Sequence, residues 1–200
     1  MKLTDIKRQT ILDAAEELFY ELGVDATSMD HLAIKAEVSK RTIYNHFSNK
    51  EALFQAIITR MLEGLTQDDD VLYCHEQPLF DQLCQIANNE VNLLSSEPFL
   101  RVAKITFMQL LKEPQLAQSI NGHRFGCLTY LERFLTEACH DGVLKIDDIE
   151  FSSKQFVYQL KSFIFYPLLY GFEKKETLKD RFIVEETVRL FLARYQNRAS

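Results

Sequence analysis

Apolar residues recur at three- and four-residue intervals along most of this chain, and the stripes they form predict helices. Ile11, Ala14, Ala15, Leu18, Phe19 and Leu22 mark a first helix over about residues 4–22, which Gly23 stops. Thr27 or Ser28 can cap a second run, in which Met29, Leu32, Ala33 and Ala36 share a face. The pattern lapses at Glu37-Val38, and Ser39 is the next capping residue. Ile43 and Phe47 face inward from the run that follows. A fourth helix starts near Asn49, with Leu53, Phe54, Ile57, Ile58, Met61, Leu62 and Leu65 in its stripe. At about four turns it is long enough to act as a rigid connector over residues 49–65.

Beyond it, Thr66 to Gln77 loses the pattern around Asp68-Asp69-Asp70 and reads as an acidic exposed loop. Pro78 suits a first helical turn, followed by Leu79, Phe80, Leu83, Ile86, Ala87, Val91 and Leu94. Pro98 opens another stripe with Phe99, Val102, Ala103, Phe107 and Leu110. Pro114 and Gly122 bracket a short segment. A long helix is predicted over about 124–140, ended by Gly142. The last two runs, about 149–171 and 179–198, are apolar on more than one side, and Pro167 should bend or end the first of them. A helix apolar on two sides needs two packing partners. One is its own core; the other is expected to be the same helix pair of a second subunit, in an isologous homodimer.

The fold class predicted is all-α: an N-terminal three-helix helix-turn-helix domain over 1–50 and a larger helical bundle over 51–200, about nine helices in all. Six Gly and four Pro in 200 residues agree with long helices and few turns. No apolar run approaches 18 residues, so no membrane span is expected. MKLTDIKRQT lacks the apolar stretch of a secretory signal, and a cytoplasmic location is expected.

Cys74, Cys84, Cys127 and Cys139 are scattered without a CxxC pair, which reads as free thiols. Cys74-His75 and Cys139-His140 suggest zinc, but adjacent helical residues point about 100° apart, so no metal and no cofactor is expected. Gly-rich phosphate loops, HExxH and GxSxG are absent, and an enzyme is not expected.

Candidate chemistry concentrates between Ser39 and Lys50. With Ile43 and Phe47 inward, Lys40, Arg41, Thr42, Tyr44, Asn45 and His46 point outward or sideways. Lys and Arg reach guanine edges or phosphates, Asn pairs with adenine, and Thr touches a base edge or thymine methyl. Tyr and His donate to phosphate oxygens. Residues 38–50 hold Lys40, Arg41 and Lys50 and no acid, on a chain of net charge −6. A solvated bundle helix explains such a face poorly. What matters to DNA is the local field rather than the overall pI near 5.4. Lys40, Arg41, Thr42 and Asn45 are therefore assigned to base edges. Thr27, Ser28, Tyr44, His46 and Lys50 are assigned to phosphates of double-stranded DNA.

The runs ILDAAEELFYELG and TSMDHLAIKAEVSKRTIYNHFSNKEALF, over Ile11 to Phe54, resemble the DNA-binding domain of TetR-type transcriptional regulators. Tyr44, His46, Phe47, Lys50 and Leu53 match the positions where that family ends its recognition helix with an aromatic and opens the next helix with Lys. The likeness implies a homodimer through the two C-terminal helices. It also implies a repressor that a small apolar or aromatic effector releases from DNA. Phe107, Gln109, His123, Arg124, Tyr130, Phe134, Phe163, Tyr166 and Tyr170 are the candidate pocket residues, placed among a Phe- and Tyr-rich core. The rival reading keeps DNA binding but replaces the small molecule with a protein partner, or with no control at all.

Overall fold

The structure is a computed structural model that describes residues 3–64, 71–115 and 126–197. Nine α-helices occur among them: α1 Leu3–Leu22, α2 Met29–Lys35, α3 Lys40–His46, α4 Lys50–Gly64, α5 Leu79–Leu94, α6 Glu97–Lys112, α7 Leu131–His140, α8 from Ile149 to Tyr170, and α9 Asp180–Tyr195. The all-α expectation holds. The one β pairing among the described residues is an isolated antiparallel bridge between Leu144 and Gln196. No described helix is long and apolar enough to cross a membrane.

Two compact units partition the chain: Met1–Gly64 with Arg101–Gly122, and Leu65–Leu100 with His123–Ser200. In the first unit, Ile11, Leu12, Ala15 and Phe19 of α1 meet Leu32, Ile43, Phe47, Leu53, Phe54, Ile57 and Ile58 in one core. Leu22, assigned to the α1 stripe, is exposed instead, while Leu12 is fully buried. Val102 and Ile105 of α6 join this core, so the expected boundary at residue 50 falls within the first unit, at the first residue of α4. On α6 the buried face carries Thr106 and Gln109, whereas Phe107 is exposed. The Thr106 hydroxyl donates to the Val102 carbonyl at 2.8 Å, and the Gln109 amide donates to Glu113 at 2.6 Å. Both polar groups thus enter the packed face with a partner.

The turn between α2 and α3 is set by backbone geometry. Val38 N–H donates to Ala33 O and Glu37 N–H to Ile34 O, the paired bonds of a Schellman stop. Glu37 takes the left-handed position that glycine usually fills, with φ 52°. Ser39 then caps α3, accepting from Thr42 N–H at 3.1 Å. Asn49 Oδ1 does the same for α4, accepting from Ala52 N–H at 2.8 Å.

In the second unit, Leu83, Ile86, Ala87 and Leu94 of α5, Leu131, Leu135 and Ala138 of α7, Val157, Leu160 and Ile164 of α8 and Val188 of α9 are fully buried. The helix expected over 124–140 begins instead as a 3-10 turn, Gly126–Thr129, because Gly126 adopts φ +63°. Its portion at residues 124–125 lies outside the described residues. Pro167 does not end α8. The α-helical piece Ile149–Leu160 passes through a π turn, Lys161–Phe165, into Tyr166–Tyr170. Tyr166 N–H donates to Lys161 O, five residues back. Widening the turn just before proline accommodates a residue that lacks an N–H and crowds the carbonyl four positions earlier. Gly171, at φ 73°, closes the helix.

Replacing Glu37 with Gly removes the left-handed cost. The variant Glu37→Gly is expected to be more stable by about 0.5–1 kcal/mol in urea unfolding monitored by circular dichroism. A loss of stability would show that the Glu37 side chain makes a compensating contact.

Candidate nucleic-acid interface

α3 presents the chemistry that its sequence promised. Ile43 and Phe47 are buried, while Lys40, Arg41, Tyr44 and Asn45 are exposed and Thr42 and His46 are half-buried. Arg41 makes no ion pair among the described residues. Lys40 is engaged: its ammonium lies 2.9 Å from one Asp30 oxygen and 3.1 Å from the other. Bonding to Asp30, then its charge, pushes the Lys40 amine above its usual range. This pair ties α3 to α2 across the turn. Lys40 must leave Asp30, or share it, to meet DNA.

The flanking residues divide differently. Ser28 is exposed at the N-terminus of α2, and its Oγ accepts from His31 N–H at 3.1 Å. Its own hydroxyl proton remains available to an acceptor. Thr27 contradicts the phosphate assignment. It is 1% exposed, and its hydroxyl points inward to Gly23 O at 2.9 Å and Leu18 O at 3.3 Å. Its position beside a capping residue resembled a surface site, but the hydroxyl satisfies the carbonyls at the end of α1. Lys50 is half-buried, and its ammonium donates to Val24 O at 3.0 Å and Asp25 O at 2.9 Å. Two of its three donors therefore pin the α1–α2 connection. Lys112 of α6 holds the same segment through Asp25 at 2.7 Å, and that bond draws the Asp25 carboxyl below its usual range.

Sequence reasoning missed Arg8. Its guanidinium sits 4.9 Å from the centre of the Phe47 ring, at the C-terminal end of α3, where cation–π attraction holds it. The available signal was spacing, since Arg8 lies three and four residues before the buried Ile11 and Leu12. Three acids of α1, Asp13, Glu16 and Glu17, hold ion pairs. Arg60 of α4 contacts Asp13 at 2.5 Å and Glu16 at 2.7 Å. Lys35 of α2 contacts Glu17 at 2.5 Å. That bond lowers the Glu17 carboxyl pKa and raises that of Lys35.

A capped seven-residue helix, seated on the first unit's apolar core after a Schellman turn and carrying exposed Arg, Tyr and Asn, is the helix-turn-helix arrangement. The family model for bacterial regulatory proteins of the tetR family matches residues 11–57. The model for the AefR-like transcriptional repressor C-terminal domain matches residues 81–197. The chain belongs to the TetR family. Among its relatives, an uncharacterized HTH-type transcriptional regulator YhgD of Bacillus subtilis is 27% identical over 194 residues, spanning 94% of this chain and 95% of that protein. A TetR family transcriptional regulator from Pseudomonas syringae pv. tomato superposes with a TM-score of 0.82 at 31% identity, over 97% of this chain and 99% of that one. The flavonoid-responsive regulator FrrA superposes at 0.76 with 28% identity, over 97% and 99%. This chain is accordingly a TetR-family transcriptional regulator with a helix-turn-helix DNA-binding domain, and not an enzyme.

The pocket residues nominated from sequence fall in both units. Phe107, exposed, and Gln109, buried, belong to the first unit. Tyr130 and Phe134 are buried in the second unit, whereas Phe163, Tyr166 and Tyr170 are solvent-facing on α8. His123 and Arg124 lie outside the described residues. Tyr166 and Tyr170 stack on each other at 6.2 Å, one turn apart on a helix surface, so they form an aromatic face rather than a pocket wall. Periodicity showed which residues were apolar but not which face of a doubly apolar helix turned inward.

Two substitutions separate the roles. Arg41→Ala is expected to cost about 1–3 kcal/mol of affinity for the preferred duplex and to relax base preference at its contact position, in binding followed by fluorescence anisotropy. Thr27→Val is expected to leave base preference intact while destabilising the fold by about 1–3 kcal/mol, through a carbonyl left unpaired.

Proposed function

We propose that this regulator binds a near-palindromic operator as a homodimer and leaves it when a small effector occupies the second unit. The observation that carries the DNA reading is the acid-free surface of α3, where Arg41, Tyr44 and Asn45 are exposed and both apolar residues are sunk. Lys40, Arg41, Thr42 and Asn45 are assigned to base edges. Ser28, Tyr44, His46 and the remaining donor of Lys50 are assigned to phosphates. Arg8 adds a cation beside the end of α3.

Dimerisation is supported by an apolar surface on the two C-terminal helices. Phe151, Tyr158, Phe163, Tyr166 and Tyr170 of α8 and Phe182 and Leu190 of α9 are all exposed. Large side chains left in solvent along adjacent helices mark a protein interface. Twofold symmetry then presents two copies of α3 to successive major grooves, with centres about 34–36 Å apart.

Effector control draws on the flavonoid response of FrrA and on the role of α6. Its residues 101–112 count with the DNA-binding unit and its first turn with the other. Within the first unit it grips α1: Arg101 and Lys104 lie 4.9 and 5.2 Å from the Tyr20 ring. Lys112 also holds Asp25 in the segment that Lys50 clamps. A ligand that favours one placement of α6 acts directly on the base of the helix-turn-helix.

Selection from random duplexes is the test. The full-length protein is expected to enrich inverted half-sites centred one helical turn apart. The double variant Tyr158→Asp, Leu190→Asp is expected to run as a monomer in sedimentation and to bind the selected site at least about 100-fold more weakly. Tight binding by a monomer would refute the symmetric reading.

A further inference from the structure

Buried polar groups in the second unit are mostly satisfied. The Ser152 and Ser153 hydroxyls donate to Ile149 O, and the Gln82 amide is bonded to Cys74 and Gln77. Glu90 is the exception that carries chemistry. It sits on the buried face of α5 and is 1% exposed. Its Oε2 accepts the Cys127 backbone N–H at 2.8 Å. Its Oε1 has no hydrogen-bond partner among the described residues. Thr187 and Asp180 also keep an unpaired oxygen, but a lone hydroxyl costs little beside a carboxyl, and Asp180 is only half-buried.

The surroundings are shaped around this carboxyl. Gly126 stands against it with φ +63°, and a Cβ there would collide with Oε2. Any other residue at 126 would be strained and would evict the group. The ammonium of half-buried Lys161, from the π turn of α8, acts on Glu90 electrostatically. Burial pushes the Glu90 carboxyl above its usual range, while the Cys127 N–H, Lys161 and the Cys127 thiol pull it back. Burial also pulls Lys161 down, which Glu90 opposes. Lys161 thus offsets the Glu90 charge. The cluster is arranged to keep a carboxyl inside the bundle, yet it leaves one oxygen without a partner among the described residues. A buried acceptor without a partner costs stability.

We propose that Glu90 is the polar anchor of the effector site and that its free oxygen takes the hydroxyl of a neutral, largely apolar molecule. This rests on the effector-controlled reading above. A hydroxyl both donates and accepts, so it satisfies Oε1 whether the carboxyl is charged or neutral. An ammonium suits only the charged form and meets Lys161 as a like charge. A carboxylate suits only the neutral form. Hydrophobic contact supplies the remaining affinity, as in other mostly apolar sites with few polar groups.

The test is calorimetry on the full-length protein with three probes of one shape: 1-naphthol, 1-methylnaphthalene and 1-naphthylmethylammonium. 1-Naphthol is expected to bind at least about tenfold tighter than either of the others. Glu90→Leu should erase its preference over the methyl compound, and the near-isosteric Glu90→Gln should weaken 1-naphthol while leaving the methyl compound unchanged. Equal affinities, absence of binding (a structural water only), tightest binding of the ammonium, or indifference of 1-naphthol to both substitutions overturns the proposal. Selected-operator affinity in the same 1-naphthol series separates the two readings. Binding through Glu90 without a change in DNA affinity removes effector control but keeps the site. A DNA response that survives Glu90→Leu does the reverse.

Discussion

α3 is too short to exist alone. Seven residues form fewer than two turns, and nucleating a helix in water is unfavourable well beyond that length. Its conformation depends on being held at both ends and from below. Ser39 satisfies the first turn, and the bonds to Ala33 and Ile34 fix the turn before it. Burial of Ile43 and Phe47 removes about 1.5–3 kcal/mol each from the cost of ordering it. The same constraint decides which side chains of α3 face outward. Once Ile43 and Phe47 are inward, 3.6 residues per turn leave Arg41, Tyr44 and Asn45 outward. Recognition and stability are therefore one pattern read from two sides.

Charge is arranged to suit this. An acidic chain repels DNA unless its acids are occupied or remote. Within the first unit, Asp13 and Glu16 are met by Arg60, Glu17 by Lys35, Asp30 by Lys40 and Asp25 by Lys112. Each exposed pair contributes little to stability. Their shared effect is to neutralise carboxylates of the first unit, while Arg41 on α3 makes no ion pair among the described residues. The Lys40–Asp30 pair differs in holding a cation next to the interface, where phosphate can compete for it.

Sequence periodicity captured the helices of the first unit almost to the residue, because capping groups such as Ser28, Ser39 and Asn49 mark their ends. It gave the outward-facing residues of α3 for the same reason. It failed where meaning depends on partners distant in the chain. Val102 read as part of a second core, yet it completes the first, since a stripe shows that a face is buried but not against what. Lys50 and Thr27 read as phosphate donors. Their donors are directed to carbonyls of the α1 end and the α1–α2 connection, and a polar residue beside a cap looks the same in either role. Pro167 read as a bend or an end, and the helix continues through it by way of a single π turn.

That π turn bears on the second unit. A π turn is less favourable than α-helix and persists where surrounding structure over-determines it or function uses it. Here Pro167 requires some widening, and the turn contains Lys161, whose charge acts on Glu90. Gly126, Glu90 and the π turn are three local departures from the best fold: a left-handed residue, an unsatisfied buried oxygen and a strained helix. They converge on one place, from segments 35 residues or more apart in the sequence. Departures scattered by drift would not be mutually dependent. These are, since a side chain at 126 would displace Glu90, and loss of the Lys161 charge would leave the carboxyl without its electrostatic partner. Packing alone would be better served by leucine at 90. The carboxyl is thus best understood as a feature kept at a cost to the apo fold, with a bound hydroxyl as the group that restores the missing hydrogen bond.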